Sequence, residues 1–143
     1  HMRDVLLPIA MHGNEPSLGS DKFPVLTSHQ GELIARDFQE VHSSIVVDYD
    51  RQTILCASNG MPAPAAGWIR ALHWRPGKGL FGIARMTQKG GRLIGSGAYR
   101  FATATFLGGR TQTGRFRLGF ASLVQQRLGE LHPPIPLDHL DVA

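Results

Sequence analysis

Cys56 is the only cysteine in the sequence, so neither an internal disulfide framework nor a cysteine-rich zinc site is available. None of the seven histidines forms a His-x-x-x-His pair, the spacing that puts two ligands on one helix face. No metal and no cofactor are expected. No apolar run nears the roughly 18 residues that span a bilayer, and no charged-then-apolar leader precedes a small-residue cleavage site. The expectation is a soluble, intracellular protein with no membrane partner. Charge is sparse as well, at 18% of residues against 42% hydrophobic, a globular rather than a disordered composition. The 143 residues make one domain, 3–143, with an irregular tail over 128–143, and can bury a core without staples. His1-Met2 reads as an expression scar.

The most informative absence is of acid. Positions 51–129 hold twelve Lys or Arg and no Asp or Glu, whereas residues 1–50 balance to −5 and residues 130–143 to −3. Such a stretch cannot neutralise its own arginines. They must face water, the acidic N-terminal third, or an acidic partner such as nucleic acid. With neither a basic recognition helix nor interleaved aromatic and basic residues in evidence, nucleic acid ranks below the first two.

Along the chain, residues 4–10 read as a strand and 12–28 as a loop rich in Gly, Pro, Ser and Asn. Leu33, Ile34, Phe38 and Val41 recur at helical spacing from Gln30 to Val41, with Ser28 or the following residues capping the start. Ile45-Val46-Val47 is a β-branched strand ending at Asp48-Tyr49-Asp50. Residues 54–57 are apolar, with Asn59-Gly60 as a turn. Trp68 to Trp74 alternates, which puts Trp68, Arg70, Leu72 and Trp74 on one face as core or interface anchors. A turn at 75–79 leads to a returning strand over 80–86, a glycine-weakened helix over 88–96, and strands at 99–107 and 116–124. The sum is an α+β domain, a small, mostly antiparallel β-barrel with flanking helices.

Certain motifs are more specific. Leu33-Ile34-Ala35-Arg36, Val47-Asp48-Tyr49-Asp50-Arg51-Gln52-Thr53, the run Asn59-Gly60-Met61-Pro62-Ala63-Pro64-Ala65-Ala66-Gly67-Trp68-Ile69, and Tyr99-Arg100-Phe101-Ala102-Thr103 occur in the order and spacing of a known pattern. Over about 120 of the 143 residues the chain resembles the Mu-like phage I proteins, the capsid maturation proteases of Mu-type phages. The resemblance implies a herpesvirus-assemblin-like, prohead-protease-like barrel carrying a serine protease site. It also implies a capsid or scaffold protein as partner, dimerisation in some relatives, and a place in the host cytoplasm with the procapsid. The Pro62, Ala63, Pro64, Ala65, Ala66 and Gly67 run is mainly structural on this view, and its small residues are suited to lining a peptide channel.

At the positions that matter the sequence departs from the family. The family's histidine, which would activate the nucleophile, falls on Arg51, and a guanidinium stays protonated and cannot act as a general base. The nucleophilic serine falls on Thr103, whose hydroxyl needs a nearby base. The acid expected before Ser122-Leu123-Val124 is missing. Family acids are also absent at Arg85 and Ala98. Three readings follow. The domain is a degenerate capsid maturation protease; or it is an active peptidase using Thr103 with a displaced histidine, His73 or His42; or it is a basic binding module for nucleic acid or an acidic partner. Cys56 reads as a small core residue, and Asp48 and Asp50 as ion-pair partners of Arg51. Arg51 and Thr103 are expected on neighbouring strands, converging in a shallow groove.

Overall fold

The computed structural model describes residues 3–14, 25–41, 44–60, 62–108, 116–125 and 135–136. In chain order the elements are β1 (Arg3–His12), β2 (Val25–Leu26), α1 (Ser28–Val41), β3 (Ile45–Tyr49), α2 (Gln52–Asn59), β4 (Gly67–Arg75), β5 (Gly79–Met86), α3 (Gln88–Gly95), β6 (Phe101–Gly108), β7 (Phe116–Val124) and β8 (Ile135–Pro136). The eight strands form one sheet in the order β2-β1-β5-β4-β3-β7-β6-β8. It curls, so that β1 packs across the interior towards β6 and β8.

An α+β domain is therefore what the chain forms, but the sheet is mixed rather than mostly antiparallel. Two pairs, β1–β2 and β3–β7, run parallel. Parallel strands need a long crossover between them, and β3 reaches β7 only after α2, the β4–β5 hairpin, α3 and β6 have intervened. Among the described strands the sheet ends at β2 and β8 and is a half-barrel rather than a closed one.

The interior face carries the core. Leu7, Ile9, Val47, Ile69, Leu72, Leu80, Met86 and Leu123 are fully buried there. Helix α1 lies against this face through Ile34, Ala35 and Phe38. Its N-cap is Thr27, one residue before the expected Ser28. Thr27 accepts from the Gln30 amide at 3.3 Å through its hydroxyl and from Gly31 at 2.9 Å through its carbonyl, as an N-cap does.

Two differences from the sequence pattern have clear causes. Residues 52–59, expected only as an apolar stretch at 54–57 before a turn at Asn59-Gly60, form the helix α2, because Asp48 on β3 caps its first turn. And Trp68 and Trp74 lie on opposite faces. Pairing between β4 and β5 slips between Ile69 and Ala71, leaving Arg70 as an extra residue. Such a bulge reverses the alternation beyond it, so Ile69, Leu72 and Trp74 point inward while Trp68, Arg70 and His73 are exposed. No helix of the described residues is long and apolar enough to cross a membrane.

Candidate functional site

Buried polar side chains are few, and they are together. Among the described residues they are Asp48, Thr103 and Ser122, at 0, 4 and 1% exposure. Asp48 pairs with Ser122 across β3–β7, and Ser122 with Thr103 across β7–β6. Directly paired residues share a sheet face, so the three make one row over three strands. Their sequence neighbours Val47, Tyr49, Ala121 and Leu123 belong to the core. Alternation therefore puts the row on the outer face.

Arg51 completes the arrangement. Beyond β3 the chain turns through two consecutive residues in the left-handed region, Asp50 at φ 53° and Arg51 at φ 59°. Asp tolerates that conformation better than most residues, and Arg does not. Each strained residue costs on the order of 1–3 kcal/mol, and such strain clusters at functional sites. Three backbone or cap bonds hold the corner: Asp50 N–H to Leu123 C=O at 2.8 Å, Ile54 N–H to Arg51 C=O at 3.0 Å, and Thr53 N–H to Asp48 Oδ2 at 2.8 Å. Asp48 thus caps the first turn of α2 from the adjoining strand. From this corner the half-buried Arg51 side chain donates from Nη2 to Thr103 Oγ1 at 3.4 Å.

Positions 51 and 103 do converge, but not from neighbouring strands. Arg51 is in the turn after β3, and β7 stands between β3 and β6. Two strand spacings are roughly 10 Å, a gap that only a long side chain covers. Asp48 and Asp50 are bonded to groups of other residues, Asp48 to the Thr53 amide already described. Asp50 Oδ2 accepts from the Tyr99 hydroxyl at 3.1 Å, and the Tyr99 ring lies 5.1 Å from that of Tyr49. Asp48 Oδ1 and Ser122 Oγ are buried with no hydrogen-bond partner in the structure.

The Pro-Ala run meets the same end of the sheet. Pro62, Ala63 and Pro64 are exposed and without regular structure, Ala65 is half-buried, and Ala66 and Gly67 are buried. The Ala66 amide donates to Val47 C=O at 2.6 Å. Ala66 C=O accepts from the Thr87 amide at 2.8 Å and from the Thr87 hydroxyl at 3.1 Å. Gly67 pairs with both Val47 and Met86. The Ala66-Gly67 half is thus fixed by packing, and the Pro62–Pro64 half is open to solvent.

The histidines are elsewhere. With Ile45 opposite Ile69 and Val47 opposite Gly67, the register puts position 66 level with Asp48. His73 is then roughly 23 Å further along β4 at 3.3 Å per residue. It is exposed and pairs with Phe81, so it is no base for Thr103. His42, and the side chain of Cys56, lie outside the described residues.

Burial raises the phenols of Tyr49 and Tyr99 above their usual value of about 10; for Tyr99 the nearby Asp50 carboxylate pushes the same way. A raised pKa in the folded state means that folding favours the protonated phenol. The associated stability is intact below pH 10 and is lost as the pH climbs beyond it. We expect the urea midpoint to fall between pH 9.5 and 11, and the double change Tyr49→Phe, Tyr99→Phe to flatten the fall; an unaltered slope would refute this assignment.

The model of the Mu-like prophage I protein N-terminal domain matches residues 11–131. The chain belongs to this family. The match spans most of the chain and takes in Arg51, the Pro62–Gly67 run, Thr103 and Ser122. No curated protein and no solved structure gives a match. A phage-related role follows from membership in the Mu-like family.

The family pattern draws attention to positions 51 and 103 but not to Asp48 or Ser122 as companions of Thr103. A signal for Ser122 was present: it is the one polar residue in the apolar run Phe120-Ala121-Ser122-Leu123-Val124.

Proposed function

We propose that this Mu-like domain is a capsid-maturation-protease scaffold without peptidase chemistry, serving phage or prophage capsid assembly as a procapsid-associated module beside a capsid or scaffold protein. The observation that carries the reading is the Arg51 Nη2 to Thr103 Oγ1 contact. It joins the two positions at which active relatives carry base and nucleophile, and it joins them through groups that cannot perform the reaction. Guanidinium donates hydrogen bonds and accepts none, so it cannot take the hydroxyl proton. In this reading the strained corner at 50–51 is a remnant of the positioning that a catalytic histidine requires.

The test is hydrolysis of a scaffold protein or casein by the purified domain. The natural sequence is expected to cleave neither. The double variant Arg51→His, Thr103→Ser is expected to cleave slowly, because imidazole is shorter than the arginine it replaces and no acid orients it. Loss of the orienting acid alone costs about 10⁴-fold in a serine protease triad. Hydrolysis by the unaltered domain that Thr103→Val abolishes would overturn the proposal. A double variant as silent as its parent would overturn the assignment of the two positions.

A further inference from the structure

The outer face of the β4–β5 hairpin carries a group of planar and cationic side chains. On the outer face, Trp68 pairs with Arg85 across β4–β5, and Arg85 pairs with Asp4 across β5–β1. His73 pairs with Phe81, and Arg75 stacks its guanidinium over the Phe81 ring at 5.2 Å. Trp68 is 38% exposed, an unusual state for the largest side chain in the sequence, and Arg70, His73 and Arg85 are exposed beside it. Contrary to the expectation from sequence, aromatic and basic residues do interleave in the β4 sequence Trp68 to Arg75, and the hairpin adds Phe81 and Arg85 to them.

Asp4 is the only carboxylate on β1, β4 and β5. Its Oδ2 lies 3.7 Å from Arg70 Nη1 and its Oδ1 3.3 Å from Arg85 Nε. One carboxylate thus spaces two guanidiniums and neutralises only one of them. The remaining positive charge is next to an exposed indole on a sheet face.

We propose that the outer face of the β4–β5 hairpin binds single-stranded nucleic acid, with bases stacking on Trp68 and phosphates meeting Arg70 and Arg85. The charge complementarity is that of the acid-free stretch from which both strands are drawn. Bases explain the exposed indole, since each nucleotide brings a π-face as well as a phosphate; an acidic peptide would use the arginines and leave Trp68 unexplained. Single strands are favoured over duplex because a sheet face offers no helix to enter a groove, and paired bases have no free face to stack. This proposal is independent of the reading of Arg51 and Thr103.

The test is fluorescence anisotropy of a labelled oligothymidylate titrated with the full chain, alongside duplex DNA and polyglutamate. Two or three phosphate contacts predict about tenfold weaker binding between roughly 50 and 200 mM salt. Trp68→Ala is expected to weaken binding about tenfold or more, with Trp68→Phe between the two, since base–aromatic stacking of this kind is worth about 1–3 kcal/mol. Asp4→Asn is expected to tighten it by releasing both arginines, and the double variant at 51 and 103 to leave it unchanged. Absence of binding at low salt, indifference to Trp68→Ala in a chain with unchanged circular dichroism, or equal affinity for duplex would each overturn the proposal. Polyglutamate competing on equal terms would overturn it in favour of an acidic protein partner.

Discussion

Gly31→Ala is expected to destabilise the domain by about 3 kcal/mol or more, at the upper end of the overpacking range. From helix propensity alone the sign would be opposite. Gly31 is in the first turns of α1, where alanine is favoured by about 1 kcal/mol. But a Cβ built at Gly31 falls 2.1 Å from Trp74 Cε3 and 2.4 Å from its Cζ3. The indole cannot give way easily, because its other contacts are with the core and with the His12 ring, edge-on at 5.4 Å. The helix must then lift off β4, opening space around Ile34 and Phe38. Urea unfolding followed by far-UV circular dichroism measures the loss, and Trp74→Leu in the same background should recover part of it by making room. A Gly31→Ala domain as stable as its parent would show that α1 does not approach β4 this closely.

Gly90→Ala carries the second large effect, expected at about 2–3 kcal/mol of destabilisation, again within the range for overpacking. Gly90 opens α3 and donates its amide to Thr87 Oγ1 at 2.9 Å. A Cβ there falls 2.3 Å from Ala66 C=O, the same oxygen that receives both Thr87 bonds. Three groups converge on one carbonyl, and none can move without breaking a bond to the others. The change should do more than lower the melting temperature. By displacing Ala66 it should loosen the exposed Pro62–Pro64 segment, which limited proteolysis would report as faster cutting there. Gly91, where an added Cβ would meet nothing within 4 Å, is the control; Gly91→Ala should stabilise α3 by up to about 1 kcal/mol.

These glycines illustrate where the sequence was legible. β1, α1, β3, the β4–β5 hairpin, α3, β6 and β7 occur within a few residues of where the sequence puts them, whereas the two-residue β2 falls inside the expected loop 12–28. The short α2 was not legible as a helix, because four apolar residues fit a strand as well as a helix. Its cap, moreover, comes from Asp48 on β3 rather than from a residue at its own start. A single inserted residue at Arg70 was enough to put Trp68 and Trp74 on opposite faces, and alternation carries no mark of such an insertion. The parallel pairing of β3 with β7 is a tertiary choice that no local pattern encodes. At the candidate site, the family resemblance singles out positions 51 and 103, and the structure brings their side chains within 3.4 Å. The row that Thr103 belongs to was not readable, since Asp48 joins Ser122 and Thr103 only through that parallel pair.

The same parallel pair sets an order of events during synthesis and folding. Asp48 emerges early from the ribosome, yet its partner Ser122 follows only after nearly the whole acid-free stretch. Closing so long a loop is entropically slow and is rewarded only when the distant strand docks. The β4–β5 hairpin needs no such wait, being local in sequence and paired along nearly its full length. The outer face with Trp68 is therefore built before the polar row exists, and a nascent chain that has not yet made β7 already displays the one surface while lacking the other.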